Sequence, residues 1–213
     1  MVNPTGMSLY QDTLYVVVRD GIAVIDPSTG TVIKTVPISG ASFPNDIVFN
    51  SDGTGYITDN GRSPETAIFR FKNGEVTPWL SSEIILKPNG IVMHAGKLIV
   101  GDKRDFCLKS IDPADQTIRI LAQFPSEEAP GTFDGVQVFD ENHLIMMSWS
   151  GKGYLVSLTG EVSEVINTAE LNCEARPMVS NADGAFVPGK QIFVIPTFMD
   201  DRLLAYRFPE FKP

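Results

Sequence analysis

Five short segments of this chain repeat one pattern at nearly constant intervals, and a repeat of that period constrains the fold more than any local propensity does. The segments are Thr5-Gly6-Met7-Ser8-Leu9, Asn45-Asp46-Ile47-Val48-Phe49, Asn89-Gly90-Ile91-Val92-Met93, Asp134-Gly135-Val136-Gln137-Val138 and Asp183-Gly184-Ala185-Phe186-Val187. Each reads as a polar residue, a turn residue and a short apolar strand. The second positions, 6, 46, 90, 135 and 184, are 40, 44, 45 and 49 residues apart.

After each of these strands comes a polar turn, such as Gln11-Asp12, Ser51-Asp52-Gly53 or Ala95-Gly96, and then a β-branched run such as Leu14 to Val18 or Lys97 to Val100. A third run follows, as at Ile22 to Ile25, Ala67 to Phe71, Leu108 to Ile111 and Tyr154 to Leu158. Four of the five units add a fourth, as at Val32 to Val36 and Ile118 to Leu121. Four short strands per repeat without a helical pattern predict an all-β chain, a β-propeller of four-stranded antiparallel blades. A parallel solenoid of this period would usually carry a helix in each repeat, and a β-sandwich would not reproduce one turn chemistry five times.

The predicted blades lie near residues 5–43, 44–87, 88–132, 133–181 and 182–213 of a single domain, with first strands near 6–10, 46–50, 90–94, 135–139 and 184–187. The last unit has only three runs, ending at Leu203 to Phe208. Two arrangements follow from that count. Either the chain closes as five blades with a three-stranded last blade, or it is part of a six-bladed ring whose N-terminal portion lies outside this sequence. The protein is expected to be cytoplasmic if the chain is complete and exported if an N-terminal segment is missing.

A formal charge of -9 argues against a nucleic-acid partner or an anionic membrane surface, both of which need a basic face. No window approaches eighteen consecutive apolar residues, so no transmembrane helix is expected. Cys107 and Cys173 lack the spacing of a zinc site or a disulfide framework and read as buried thiols. His94 and His143 fall near turns between first and second strands, away from the axial face, which disfavours a histidine-based triad.

In a propeller the residue that opens each first strand points toward the mouth of the central channel. Here that ring is Thr5, Asn45, Asn89, Asp134 and Asp183, whose oxygens suit a hard divalent cation able to activate water for hydrolysis. Asp-Gly and Asn-Gly are also common turn dipeptides whose side chains cap local amides. Loops between second and third strands open on the same face and carry Arg19, Asp20, Asp59, Asn60, Arg62, Asp102, Lys103, Arg104, Asp105, Ser148, Trp149, Asp200 and Asp201. Arg62, Lys103 and Arg104 are candidates for a substrate carboxylate or phosphate, and Trp149 for stacking on a sugar ring.

The segments Phe43-Pro44-Asn45-Asp46-Ile47, Lys87-Pro88-Asn89-Gly90-Ile91-Val92 and Phe133-Asp134-Gly135-Val136 resemble the repeat motifs of the senescence marker protein, gluconolactonase and luciferin-regenerating-enzyme superfamily. The resemblance implies a hydrolase of sugar lactones or related esters, with one divalent metal (Ca, Mg, Mn or Zn) on the axis. It implies Asn89 and Asp134 as metal ligands, Asp134 also as general base, and Asn45 in contact with metal-bound water or substrate. Thr5 stands where that family has a ligand glutamate, which leaves Asp183 to supply the second carboxylate, and Phe43 stands in place of a substrate-binding arginine. The alternative is a non-enzymatic propeller that binds a small ligand or a protein on the same face.

Overall fold

The computed structural model describes residues 3–61, 65–124, 133–168, 180–187, 189–198 and 201–208. Among these residues there is no helix, and twenty strands form five antiparallel sheets. The first blade contains β1 (Met7–Tyr10), β2 (Thr13–Val18), β3 (Gly21–Asp26) and β4 (Thr31–Pro37). The second contains β5 (Pro44–Phe49), β6 (Gly55–Asp59), β7 (Ile68–Lys72) and β8 (Glu75–Leu80). The third contains β9 (Pro88–His94), β10 (Lys97–Asp102), β11 (Cys107–Ile111) and β12 (Ile118–Gln123). The fourth contains β13 (Phe133–Val138), β14 (His143–Ser148), β15 (Lys152–Ser157) and β16 (Val162–Asn167). Each of these sheets runs in simple meander order. Together with the fifth they form a five-bladed β-propeller.

The fifth blade is built differently. Its strands are β17 (Ser180–Asn181), β18 (Ala185–Val187), β19 (Ile192–Phe198) and β20 (Leu203–Arg207). Both β17 and β18 pair with β19, one along each half of its length, and β20 also pairs with β19. The inner position is thus shared by two short strands, and β20 is third from the axis. This matches the three runs read from the sequence.

Tight turns follow from local chemistry. The hairpins after β1, β7 and β9 turn on Gln11-Asp12, Asn73-Gly74 and Ala95-Gly96, and in each pair both residues have positive φ. Two positive φ values define the turn whose twist matches antiparallel strands.

The middle strands of the blades read as unbroken apolar runs because both of their faces are covered. On β10, Leu98 and Val100 pack with Ile57's blade through Tyr56 and Ile68, whereas Ile99 packs with Leu144 and Met146 of the fourth. On β14, Leu144 and Met146 face the third blade, while Ile145 and Met147 face Phe193 and Ile195 of the fifth. Four such inter-blade cores hold the sheets together. Each fully buried side chain of this size contributes about 1.5–3 kcal/mol.

Inner strands begin earlier than the sequence predicts, at Pro44 rather than 46 and at Pro88 rather than 90. The reason is a bulge that the apolar pattern alone does not reveal. Pro44 pairs with Asp59 but Ile47 with Ile57, so Asn45 and Asp46 together oppose Thr58. The same shift places Asn89 and Gly90 opposite Gly101, and Asp134 and Gly135 opposite Met147. Between β17 and β18 the register also shifts, from Asn181 on Thr197 to Ala185 on Val194. Bulges of this kind bend a strand and re-aim side chains, and here they turn polar residues toward the axis.

The seam between the first and fifth blades differs from the other four. Inner strands β1 and β5, β5 and β9, and β9 and β13 pack in succession, and β13 meets β18. No comparable packing joins the fifth blade to the first among the described residues. Met7, Leu9 and Leu203 are 59%, 64% and 70% exposed there.

Candidate functional site

Two of the loop carboxylates singled out in the sequence are structural. Asp59 accepts from the backbone N–H groups of Ser42, Phe43 and Gly61 at 2.6, 2.7 and 3.0 Å. Asp102 accepts in the same way from Leu86, Lys87 and Arg104 at 2.7, 3.0 and 3.1 Å. Each ends the second strand of its blade and ties down the loop that enters the first. Asp102 is also paired with the fully buried Lys109 at 2.9 Å, and Lys109 reaches Asp105 and the Ile84 carbonyl. These groups hold loops rather than ligands.

The other side chains converge. A cavity of about 270 Å³ on the axis is lined from all five blades, by Thr5, Asn45, Lys103, Asp134, Asp183 and Phe198 among others. Asp134 is one of the lining residues. Its Oδ2 accepts from Trp149 Nε1 at 2.5 Å and its Oδ1 from Asn89 Nδ2 at 2.8 Å. Burial pushes the Asp134 carboxyl upward, against the opposing pull of the Trp149 bond, the Lys103 charge and the Asn89 bond.

Trp149 does stack, but within the protein. Phe198 lies parallel to it at 5.2 Å between centroids and 9° between planes, while Lys103 Nζ sits 4.4 Å from the indole centroid. Such a cation over an indole face is worth about 0.5–1 kcal/mol at exposed sites and more when desolvated. Burial lowers the Lys103 pKa, Asp134 raises it and Lys87 lowers it. Phe198 and Phe43 each keep about half of their surface exposed, at 48% and 50%.

Asn89 is not at an exposed rim, as its place in the sequence suggested, but fully buried. The bulge turns its amide between blades, so that Nδ2 donates to the Phe133 carbonyl as well as to Asp134, both at 2.8 Å. Its Oδ1 is buried without a hydrogen-bond partner, and so is the Oδ1 of Asn60, which lines the axial cavity where Asn89 does not.

Asp46 is the residue that the sequence reading passed over. In the other four repeats the second bulge position is glycine: Gly6, Gly90, Gly135 and Gly184. Gly135 shows why, since a Cβ there would fall 2.0 Å from Asp183 Oδ1 and 2.7 Å from its Cα. At Asp46 the side chain is instead buried between blades, accepting from Ile47 N at 2.8 Å and, across the blade boundary, from Ile91 N at 3.0 Å. Burial raises its pKa to about 7, countered by those two amides and assisted by Asp134. Asp183 is pushed well above the ordinary range by burial and then by Asp46 and Asp134. Asp134 and Asp183 line the axial cavity, and Asp46, buried behind it, lies close enough to act on both.

Arg104 is exposed in the turn after β10 and does not line the cavity. Arg62, Asp200 and Cys173 lie outside the described residues. His94 and His143 sit at the ends of β9 and β14 nearest the β-turns of the opposite face, bonded to the Glu141 carbonyl and to Asp140. Among the described residues no group of three or more His, Cys, Asp or Glu side chains is arranged to hold a metal ion. No helix of the described residues is long and apolar enough to cross a membrane.

No family model and no curated protein sequence matches the chain. Solved structures do. Virginiamycin B lyase from Staphylococcus aureus is similar with a TM-score of 0.66 at 14% identity, over 99% of this chain and 71% of the lyase. A chain of the nidogen/laminin complex is similar with a TM-score of 0.74 at 15% identity, over 96% of this chain and 75% of that one. At such identities the likeness concerns the fold, and the chain is a β-propeller whose axial mouth mixes polar and aromatic side chains.

Proposed function

We propose that the axial mouth binds a small molecule and hydrolyses a lactone or related ester there, with a divalent cation (Ca, Mg, Mn or Zn) held by Asn89, Asp134 and Asp183. The observation that carries this reading is the buried, unpartnered Oδ1 of Asn89 beside Asp134, whose carboxyl burial raises, with Asp183, raised by burial and then by Asp46 and Asp134, nearby. An orphaned amide oxygen and an excess of negative charge are the donor set a hard cation takes. When bound, such an ion polarises a carbonyl and lowers the pKa of water.

The chain's own residues supply the rest. Asp134, its pKa raised by burial, is the proton acceptor, and Trp149 Nε1 and Asn89 Nδ2 fix its orientation. Asn45 offers an amide to the substrate from the second blade, and the ammonium of Lys103 compensates charge beside Asp134. Phe43 and Phe198 cover an apolar portion of the ligand.

Calorimetric titration with Ca²⁺, Mg²⁺, Mn²⁺ and Zn²⁺, paired with pH-stat hydrolysis of a neutral δ-lactone, tests the reading. Saturable binding with metal-dependent turnover, both lost in Asp134→Ala, supports it. Absence of binding at millimolar ion sinks it and promotes the second reading, a mouth that binds without catalysis. That reading is favoured by one specific observation: both Asp134 oxygens already accept hydrogen bonds within the protein.

A further inference from the structure

Beside the axial mouth lies a second, larger cavity of about 430 Å³ between the first two blades, lined by Asn3, Thr5, Arg19, Ser42, Phe43 and Pro44. Thr5 and Phe43 line both cavities, so the two adjoin across the Phe43 ring. Arg19 is the only charged side chain of the six, and it makes no ion pair among the described residues. Arg19 is exposed, so that its guanidinium is open to a ligand at the cavity wall. Phe43, half-exposed on the dividing ridge, offers an apolar face to anything that passes from one cavity to the other.

We infer that this cavity is the subsite for an anionic end group of the ligand, so that the molecule bound is a carboxylate or phosphate ester carried on an apolar body. The anion pairs with the Arg19 fork, Ser42 and Asn3 offer neutral hydrogen bonds, and the body crosses Phe43 toward Asn45 and Phe198. A guanidinium matches the geometry of two anionic oxygens, which an ammonium does not. Arg19 is thus a specificity residue for the ligand, 26 positions before the Asn45 it acts with and contributed by the neighbouring blade. The inference rests on the reading of the axial mouth as a ligand site, and not on metal binding or turnover there.

The test is metal-free calorimetry with three probes, 4-phenylbutyrate, 4-phenylbutyramide and inorganic phosphate, on wild type, Arg19→Gln and Phe43→Ala. Wild type is expected to prefer the acid to the amide by about tenfold, the scale of one charge-assisted pair. Arg19→Gln should bind acid and amide equally, Phe43→Ala should weaken both alike, and phosphate should compete with the acid only when Arg19 is present. Equal binding of acid and amide by wild type, or an undiminished preference in a folded Arg19→Gln, overturns the inference, and so does failure of both organic probes to bind. Circular dichroism melting confirms that the variants fold. Since neither metal nor turnover enters the readout, a failed lactonase assay leaves this result intact, and a lost acid preference leaves the lactonase reading to its own test.

Discussion

The Asp46 carboxylate lies against Gly6 of the preceding blade so closely that a Cβ on that glycine would fall 2.1 Å from Oδ1 and 2.7 Å from the Asp46 Cα. The same carboxylate accepts the Ile91 amide of the following blade at 3.0 Å. One side chain on β5 therefore links Gly6, just before β1, to Ile91 of β9. A carboxylate so placed couples the proton equilibrium of the channel to the packing of the ring.

That coupling has a sign. The folded-state pKa of Asp46 is raised to about 7 from an ordinary value near 3.8, because burial disfavours the charged form. Between those values the folded protein holds a proton that the unfolded chain has lost, so folding stability falls as pH rises through that window, by up to about 1.4 kcal/mol per pH unit for this group. Asp183, raised for the same reason, adds to the trend. Urea melts from pH 5 to pH 8 should show it, and Asp46→Asn should flatten the slope. An unchanged slope in that variant would place the titrating group elsewhere.

Asn89→Ala should cost about 1–3 kcal/mol of stability, since it leaves the Phe133 carbonyl and Asp134 Oδ1 without their donor inside the structure. A purely ligand-holding residue would change metal or ligand affinity and leave the denaturant midpoint in place. Equilibrium unfolding measured beside the metal titration separates the two roles. A midpoint equal to wild type would show that the amide does not tie the third blade to the fourth.

The axial placement of Thr5, Asn45, Asp134 and Asp183 was legible because the repeat marks it, and the four-strand blades because β-branched runs recur between turn residues. The bulge was not legible, since one extra residue per inner strand changes no apolar pattern, yet it decides that Asn89 is buried rather than at the rim. The signal for Asp46 was present in the repeat itself, as the one carboxylate where Gly6, Gly90, Gly135 and Gly184 stand. Lys103 and Arg104 could not be told apart from sequence, because a single residue of turn geometry sends one to the cavity and the other to solvent. Asp59 and Asp102 look like ligands for the reason that makes them good loop anchors: a carboxylate at a strand end meets free backbone N–H groups. Phe198 carried no sequence signal, since its partner Trp149 belongs to another blade.

Trp149→Phe keeps a flat ring against Phe198 and beneath Lys103 but removes the Nε1 donor to Asp134. That bond lowers the Asp134 pKa, so its loss should move the carboxyl titration upward while the fold persists. Carboxyl ¹³C NMR titration reads the shift directly. A downward or absent shift would mean that the indole does not hold the carboxylate in solution, and the orienting role assigned to Trp149 would fall.

Met7 occupies the repeat position held elsewhere by Ile47, Ile91 and Val136, one residue after the bulge. Those three are 2%, 3% and 0% exposed, packed against the preceding blade, whereas Met7 is 59% exposed and Leu9 64%. The first blade's outward face thus has apolar side chains of core type without the burial that makes them stabilising. Removing them should cost little: Met7→Thr and Leu9→Thr are expected to change stability within about 0.5 kcal/mol, the range of ordinary surface sites, because threonine suits a strand and no packing is lost. Ile91→Ala, at the equivalent position, should cost about 2–5 kcal/mol through lost transfer energy and the cavity left behind. Denaturant midpoints of the three variants make the comparison. If Met7→Thr destabilises as much as Ile91→Ala, the fifth blade packs against the first in solution as tightly as any other neighbours do, and the exposed seam is not a property of the folded protein.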